Sequence, residues 1–567
     1  MFSIRLNRKL LILALVGIVL YFSVSAWYAT KGEDNPDTLP PTPAVTKEIA
    51  EKTALDWFER EVGGTARVEE VVHTVEKQAQ VYLEKNKLTK QYEDAYKDLF
   101  PLEYWRVGLV ADNGSRLYLR IGLEENRVFG ILSPKPHSES AIVLKTQQPD
   151  ELFAELGYSP QDYQIKVFRN QDKTEAVSPT FRFEPLQPTI GEAKLVVDYS
   201  TGPDGITQMV PSLQPPAEFL SWLHKQDTGA GLYSMLYMIG AFTFGIVGLI
   251  LMILKRKNAS FRRGILFSLV FLAAISIHTY NSLPAQRASV GVSESGLMSD
   301  SFLAIVSIVL YALLAVSLYF NAVSGDVLWK ERGWKPWPSW KDERFGQHVY
   351  ASMGRGYLLC LFIMGVQQVL FLFAYNAFDT FSVNDPSQSM ENLYWPWVFP
   401  TLAWYAGIGE EIVFRLFGIS LFRKILPNGR NKVSQHLIRF ISVLLPTLIW
   451  AAGHASYAFY PNYTRLFEVT ALGLIFGYIF LRYGLYTAIF AHVSMDVILM
   501  ALSYMVGVRT PGSIALGLFY MATPFLVAAI ILFLHKTFWR KPPATPDSLN
   551  PTPDPSPHSD SIPIPTL

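Results

Sequence analysis

The sequence has almost no cysteine and unusually little charge. Cys360 is the one cysteine among 567 residues, which excludes a disulfide framework and a thiolate zinc site within one chain. Charged residues make up 17% and hydrophobic residues 50% of the chain, whereas about a quarter of a soluble protein is charged. A large part of the chain must therefore be hidden from water. Outside residues 29–228 the basic residues form short clusters between long uncharged runs, so we expect a membrane protein and no nucleic-acid partner.

Ten apolar runs predict spanning helices, most of them 18 residues or longer and free of charge. The runs are 10–28, 230–254, 264–280, 302–323, 358–378, 397–421, 440–460, 466–481, 485–506 and 513–535. The first run is long and ends in Trp27 and Tyr28. We therefore interpret residues 1–28 as an uncleaved N-terminal anchor helix rather than a signal peptide.

Lysine and arginine cluster in alternate loops, at 255–263, 330–344 and 423–439. By the positive-inside rule these loops are cytoplasmic. We expect a multi-pass protein of the cell membrane with both termini in the cytoplasm and residues 29–228 outside it. Four tryptophans of the second cytoplasmic loop (Trp329, Trp334, Trp337 and Trp340) are interpreted as an interfacial aromatic belt rather than a substrate-binding lip.

Residues 29–228 predict an α+β domain inserted between the first two spanning helices. They carry 32 acidic and 22 basic side chains, a balance of −10. Apolar spacing predicts helices at 46–62 and 71–85 and strands at 105–110, 117–123 and 128–132. A similar helix-then-strand order in 150–212 suggests two related halves. No catalytic motif occurs in this domain.

Ionisable residues concentrate in three predicted spanning helices, where charge is costly and by default functional. They are Glu410, Glu411 and Arg415 in the sixth, His454 in the seventh, and His492 and Asp496 in the ninth. Counted from the nearest cytoplasmic basic residue at 1.5 Å per residue, the glutamate, histidine and aspartate side chains lie about 15–22 Å deep. Groups at similar depth in the bilayer core should meet one another or line a water-filled cavity.

The spacing of these residues suggests roles. Glu411 and Arg415 are four residues apart and can pair along one face, whereas Glu410 points about 100° away and is free to act as a base. A glutamate with two histidines can activate water, with or without a bound metal. Taken singly, each residue has a structural alternative, as a buried ion pair or a hydrogen bond between helices.

The three motifs resemble those of the CPBP intramembrane proteases, which include the type II CAAX prenyl endopeptidases and proteins linked to bacteriocin immunity. Glu410-Glu411-x-x-x-Arg415, Trp450-x-x-x-His454 and His492-x-x-x-Asp496 are similar to EExxxR, FxxxH and HxxxN or HxxxD. The resemblance covers residues 355–506. It implies a catalytic Glu410 that activates water and a His454 that assists it or binds metal, with Glu411 and Arg415 as supporting residues. Trp450 replaces the commoner phenylalanine.

The resemblance leaves the roles of His492 and Asp496 open between metal ligation and stabilisation of the oxyanion. An ionised aspartate cannot donate a hydrogen bond, so Asp496 favours a divalent metal such as zinc, held by His454, His492 and Asp496, or else a protonated acid. The expected substrates are hydrophobic peptides or membrane proteins in contact with lipid. The alternative is a non-enzymatic protein, either a proton-coupled transporter or a receptor that senses a ligand through residues 29–228.

The predicted architecture is thus an α-helical polytopic membrane protein of about ten spans with an inserted α+β domain. Residues 229–354 are expected to add membrane helices and the tryptophan-rich loop. Residues 355–541 should form the protease-like membrane domain. The tail at 542–567, rich in proline and serine, is expected to be disordered.

Overall fold

The computed structural model describes residues 7–31, 43–133, 149–159, 161, 163–168, 180–185, 189–202, 205–289, 300–508 and 510–539. The predicted tail at 542–567 lies outside them. Two parts share the described chain. One is a sheet domain, residues 43–216, and the other is a bundle of long apolar helices. Each part has its own large hydrophobic core.

A single antiparallel sheet of eight strands forms the centre of the sheet domain, in the order β1-β2-β3-β4-β8-β7-β6-β5. The first four strands and the last four each form a meander, and Ile131 of β4 opposite Met209 of β8 joins them. The elements are α2 (Lys47–Glu61), β1 (Ala66–Val75), α3 (Lys77–Lys85), α4 (Thr89–Tyr96), β2 (Glu103–Ala111), β3 (Arg116–Gly122), β4 (Val128–Leu132), α5 (Pro149–Glu155), β5 (Tyr163–Phe168), β6 (Thr180–Pro185), β7 (Lys194–Gly202) and β8 (Gly205–Gln214).

The prediction of one helix over 71–85 is wrong. Residues up to Val75 belong to strand β1, and only Lys77–Lys85 is helical. The reason is local, because the β-branched side chains of Val71, Val72 and Val75 fit a pleated sheet better than a helix. The other predicted elements of this region form as expected, with the hydroxyl of Thr46 capping α2.

The helical part begins with α1 (Arg8–Lys31) and resumes after the sheet domain. Its further elements are α6 (Ala217–Leu254), α7 (Ile265–Asn281), α8 (Leu283–Ser289), α9 (Asp300–Lys330), α10 (Phe345–Phe378), β9 (Phe381–Ser382), α11 (Thr401–Glu410), the π-helical segment Glu411–Ile419, α12 (Ser420–Ile425), α13 (Lys432–Ala452), β10 (Phe459–Tyr460), α14 (Tyr463–Tyr483), α15 (Leu485–Val508) and α16 (Pro511–Phe538).

Within the described residues, eight of these helices are long and apolar enough to cross a membrane, and the bent pair α7–α8 makes nine. The predicted span at 397–421 appears as an unbroken helical run, Thr401–Ile425, whose middle third is a π-helix. A multi-pass architecture follows from these helices. The number of ten spans and the side on which the sheet domain lies stay predictions.

The predicted span at 440–460 is wrong at its end. Helix α13 stops at Ala452, and the next residues form turns that lead into the short strand β10. Gly453 lies directly under the ring of Tyr237, where a Cβ atom would come within 2.7 Å of that ring. His454 therefore lies in a turn just beyond a helix, not inside one.

The belt interpretation of the tryptophans is also wrong for three of the four. Trp329, Trp334 and Trp337 are buried in the protein, while Trp340 is 41% exposed. The indole of Trp329 donates to the carbonyl of Leu416 in the π-helical segment at 2.8 Å, and that of Trp337 donates to Asp326 at 2.7 Å. Buried acceptors that satisfy the indole N–H groups make packing preferable to an interfacial position.

Candidate active site

The helix that carries the first motif changes from α to π at Glu411. Such π-helical insertions are frequent at functional sites. The two neighbouring glutamates point to different partners. Glu411 is fully buried and pairs with Arg415 at 3.1 Å, as its spacing predicts. Glu410 instead accepts a hydrogen bond from the indole of Trp450, and 19% of its side chain stays exposed.

His492 lies at the centre of the site. Its Nδ1 is 2.9 Å from Oε1 of Glu411, and because a carboxylate accepts, Nδ1 carries the proton in this bond. Its Nε2 faces Glu410 at 3.7 Å and Asp496 at 3.8 Å. One imidazole thus connects the π-helical segment with α15 and presents its second nitrogen to two carboxylates.

Aromatic rings hold these charged groups. The guanidinium of Arg415 lies 4.1 Å from the centre of the Trp450 ring and 5.4 Å from that of Phe476. Phe476 also stacks on His492, with centroids 5.0 Å apart. A cation desolvated between aromatic faces gains from the ring quadrupoles, which together with Glu411 compensates for its burial.

His454 reaches the site from the turn after α13. Its Nδ1 is 3.0 Å from the carbonyl oxygen of Trp450, so that nitrogen donates and Nε2 is left as an acceptor. The ring lies 4.9 Å from that of Trp450 and 5.7 Å from that of Tyr457. His454 also lies within electrostatic range of Glu410 and His492.

The structure therefore brings all seven predicted residues into one cluster. Two members that the motifs did not mark are Phe476, which stacks on His492, and Tyr457, which contacts His454. Phe476 had no signal in the sequence because it resembles any apolar residue of a spanning helix. Tyr457 lies three residues after His454, and that position is informative only once helix α13 is known to have ended.

A metal site is not preformed by these side chains. Among the residues with described coordinates, no three histidine, cysteine, aspartate or glutamate side chains are arranged to hold an ion. His492 uses Nδ1 for Glu411 and His454 uses Nδ1 for a backbone carbonyl, so Nε2 of each ring is the nitrogen that a metal could bind. The predicted ligand set His454, His492 and Asp496 therefore stays a prediction.

The sheet domain contacts both loops that lead into the site. His73 of β1 bonds Ser389 at 2.9 Å, and Asn392 bonds the backbone of His73 on both sides, at 2.8 Å each. Tyr460, six residues after His454, packs in the core of the sheet domain. Burial opposes the charge of Glu103, but hydrogen bonds from His73, Asn384 and Gln80 outweigh it and hold the pKa of this carboxyl below its ordinary value.

A bundle of apolar helices that buries glutamate, histidine and arginine together defines a multi-pass membrane protein with a site suited to hydrolysis. Comparison with known families agrees with this class. Residues 392–498 match the family model described as "Type II CAAX prenyl endopeptidase Rce1-like". This segment, 107 of the 567 residues, contains all three motifs and confirms the resemblance to the CPBP proteases there. No curated protein and no solved structure matches the chain.

Proposed function

We propose that this protein is an intramembrane endopeptidase that hydrolyses peptide bonds of hydrophobic or membrane-associated peptides, with Glu410 as the base. The observation that carries the proposal is the position of His492, which is bonded to Glu411 and faces both Glu410 and Asp496. Residues from two separate helices converge there, and the family match supports a protease.

Glu410 is the carboxylate best placed to activate water. It retains exposed surface, whereas Glu411 is neutralised by Arg415 and His492. In the first step Glu410 takes a proton from water, the water oxygen bonds to the carbonyl carbon, and the carbonyl π electrons move to its oxygen. The proton then passes from Glu410 to the amide nitrogen as the C–N bond breaks, leaving a carboxylic acid and an amine.

The remaining residues orient His492 and assist Glu410. Glu411 accepts from Nδ1 of His492 and so fixes the direction of Nε2, while Arg415 fixes Glu411. His454 lies within electrostatic range of Glu410 and keeps Nε2 as an acceptor, so it can assist proton transfer. By the clustering of basic residues in alternate loops, we place both termini in the cytoplasm and the sheet domain outside the membrane on the opposite side.

The test is peptide mass spectrometry with purified protein. Wild type should cleave members of a pool of membrane-derived peptides, and Glu410→Gln should cleave none of them. Glu331→Gln is the matched control, because Glu331 pairs with Lys255 away from the site and its variant should keep wild-type activity. Absence of cleavage by folded wild type across the pool would contradict the proposal.

The same charges would also suit a proton relay in a transporter. One substitution, Glu410→Asp, distinguishes a transporter from a hydrolase. A relay needs only a carboxylate and should tolerate Glu410→Asp. A hydrolase needs the carboxylate at a defined distance from the scissile carbonyl, so Glu410→Asp should lose most hydrolysis. Ion-coupled uptake into vesicles that survives Glu410→Asp would favour the transporter.

A further inference from the structure

The candidate site has carboxylates in excess and few hydrogen-bond donors. An oxyanion needs donors aimed at the position where its charge develops. The family resemblance places an asparagine or aspartate at position 496, and here it is Asp496, which cannot donate when ionised. The Nε2 of His492 already faces two carboxylates. The oxyanion therefore needs a further hydrogen-bond donor near Glu410.

Tyr457 is the candidate for this donor. Its ring contacts that of His454, with centroids 5.7 Å apart, and it lies within electrostatic range of both Glu410 and Asp496. The side chain is 39% exposed, and its hydroxyl makes no hydrogen bond to any residue that the structure describes. The phenol is therefore available to a bound substrate.

The ring of Tyr457 is held by a cation. The guanidinium of Arg465 lies 5.3 Å from its centroid and 4.8 Å from that of Phe459. Glu468 anchors Arg465 at 2.5 Å and accepts from Gln367 of α10 at 2.9 Å. Two helices thus fix the turn that carries both His454 and Tyr457.

Two other phenols lie within electrostatic range of Glu410 but are worse placed. Tyr237 packs flat against Gly453. The ring of Tyr405 contacts His278 at 5.5 Å, on the side of α7. Of the three, Tyr457 combines contact with His454 and proximity to both Glu410 and Asp496.

We propose that Tyr457 is a further catalytic residue, whose hydroxyl donates a hydrogen bond to the oxyanion formed when water attacks the peptide carbonyl. This inference rests on the proposed endopeptidase function. The phenol keeps its proton throughout, so it adds no step to the proton transfers of Glu410.

The test compares Tyr457→Phe with wild type on a peptide that wild type cleaves in the mass spectrometric assay. Removal of one oxyanion donor costs roughly 100- to 1,000-fold in kcat, and we expect that loss with KM changed less than about threefold. Tyr463→Phe is the control, because Tyr463 is exposed and its ring contacts Phe378. It should behave as wild type.

A second measurement distinguishes catalysis from folding. A phosphinate analogue of the same peptide imitates the tetrahedral intermediate, so its affinity for Tyr457→Phe should fall in proportion to kcat/KM. The affinity of an uncleaved substrate analogue with the same side chains should stay within about threefold. A loss confined to KM, or an equal loss for both analogues, would assign Tyr457 to structure and overturn the inference.

The outcomes also separate this inference from the function on which it rests. If Glu410→Gln abolishes cleavage while Tyr457→Phe cleaves normally, the endopeptidase stands and the donor role of Tyr457 is wrong. A larger loss of kcat in Tyr405→Phe than in Tyr457→Phe would also overturn it, in favour of Tyr405. Wild type that cleaves no peptide would contradict the proposed function itself.

Discussion

At the residue scale, the buried pair Glu411–Arg415 supports the site rather than reacting in it. The charges compensate each other within the helix core at 3.1 Å, and Glu411 also holds Nδ1 of His492. Among the described side chains, Arg415 Nε has no hydrogen-bond acceptor. The buried charge of Arg415 is therefore stabilised by Glu411 and by the aromatic faces of Trp450 and Phe476.

Loss of one partner of this pair should destabilise the fold. Glu411→Gln leaves Arg415 buried and uncompensated, at a cost of about 3–5 kcal/mol. The double variant Glu411→Gln/Arg415→Met removes both charges and should recover most of that loss in denaturation in detergent. Its activity should stay low, because a neutral amide replaces the carboxylate that accepts from Nδ1 of His492. Full recovery of activity together with stability would contradict the orienting role of Glu411.

Asp496 decides between the metal scheme and the metal-free scheme, which the residues alone leave open. If a zinc ion is bound and required, alanine at His454 or His492 should remove both stoichiometric zinc and activity. Glu410→Gln should then remove activity and leave most of the zinc in place. If it is not required, Asp496→Asn should preserve or raise activity, because asparagine donates at every pH. Elemental analysis of active, chelator-washed protein separates the two outcomes.

At the scale of elements, the backbones of helices α1 and α10 come into direct contact at Gly17 and Gly365. A Cβ atom at Gly17 would lie 2.2 Å from the carbonyl oxygen of Leu361, and one at Gly365 would lie 2.3 Å from the carbonyl oxygen of Gly17. Small residues permit such close approach between membrane helices. This contact favours the prediction that the first helix is retained as part of the bundle.

Replacement of Gly17 should therefore release α1. Gly17→Leu forces the two backbones apart, and we expect a lower midpoint of thermal unfolding in detergent and loss of a disulfide crosslink engineered between α1 and α10. Val19→Leu is the control on the exposed side of α1 and should leave both measurements unchanged. An intact crosslink in Gly17→Leu would show that the close contact is not required.

At the scale of the whole molecule, the sheet domain contacts the loop that carries part of the candidate site. The short strands β9 and β10 pair residues 381–382 with 459–460, and Tyr460 belongs to the core of the sheet domain. Asn462 bonds Gln226, near the start of α6, at 3.1 Å. The loop that carries His454 and Tyr457 is thus attached to the sheet domain, so the domain can affect the site without containing a catalytic motif.

The orientation of the protein in the membrane can be tested by labelling. Cysteines introduced in exposed positions of the sheet domain should react with an impermeant thiol reagent in intact cells, and those at 424–438 should not. The native Cys360 is buried, so unaltered protein supplies the blank. Reaction of the 424–438 positions alone would reverse the orientation that the basic loops predict.

The sequence by itself determined the membrane character, the strands β2–β4 and the residues of the candidate site. These follow from local properties, namely apolar length, alternation and the rarity of charge within spanning runs. The different directions of Glu410 and Glu411 also followed from helical geometry, because about 100° separates neighbouring residues on an α-helix.

The tertiary structure alone decided how these residues meet. Helix α13 ends at Ala452, where Gly453 packs under Tyr237, and Trp329 is buried where its indole donates to Leu416, 87 residues along the chain. The stacking of Phe476 on His492 likewise joins residues from different helices. Such contacts leave no periodic signal in a single sequence, because they are set by the mutual packing of elements rather than by local propensity.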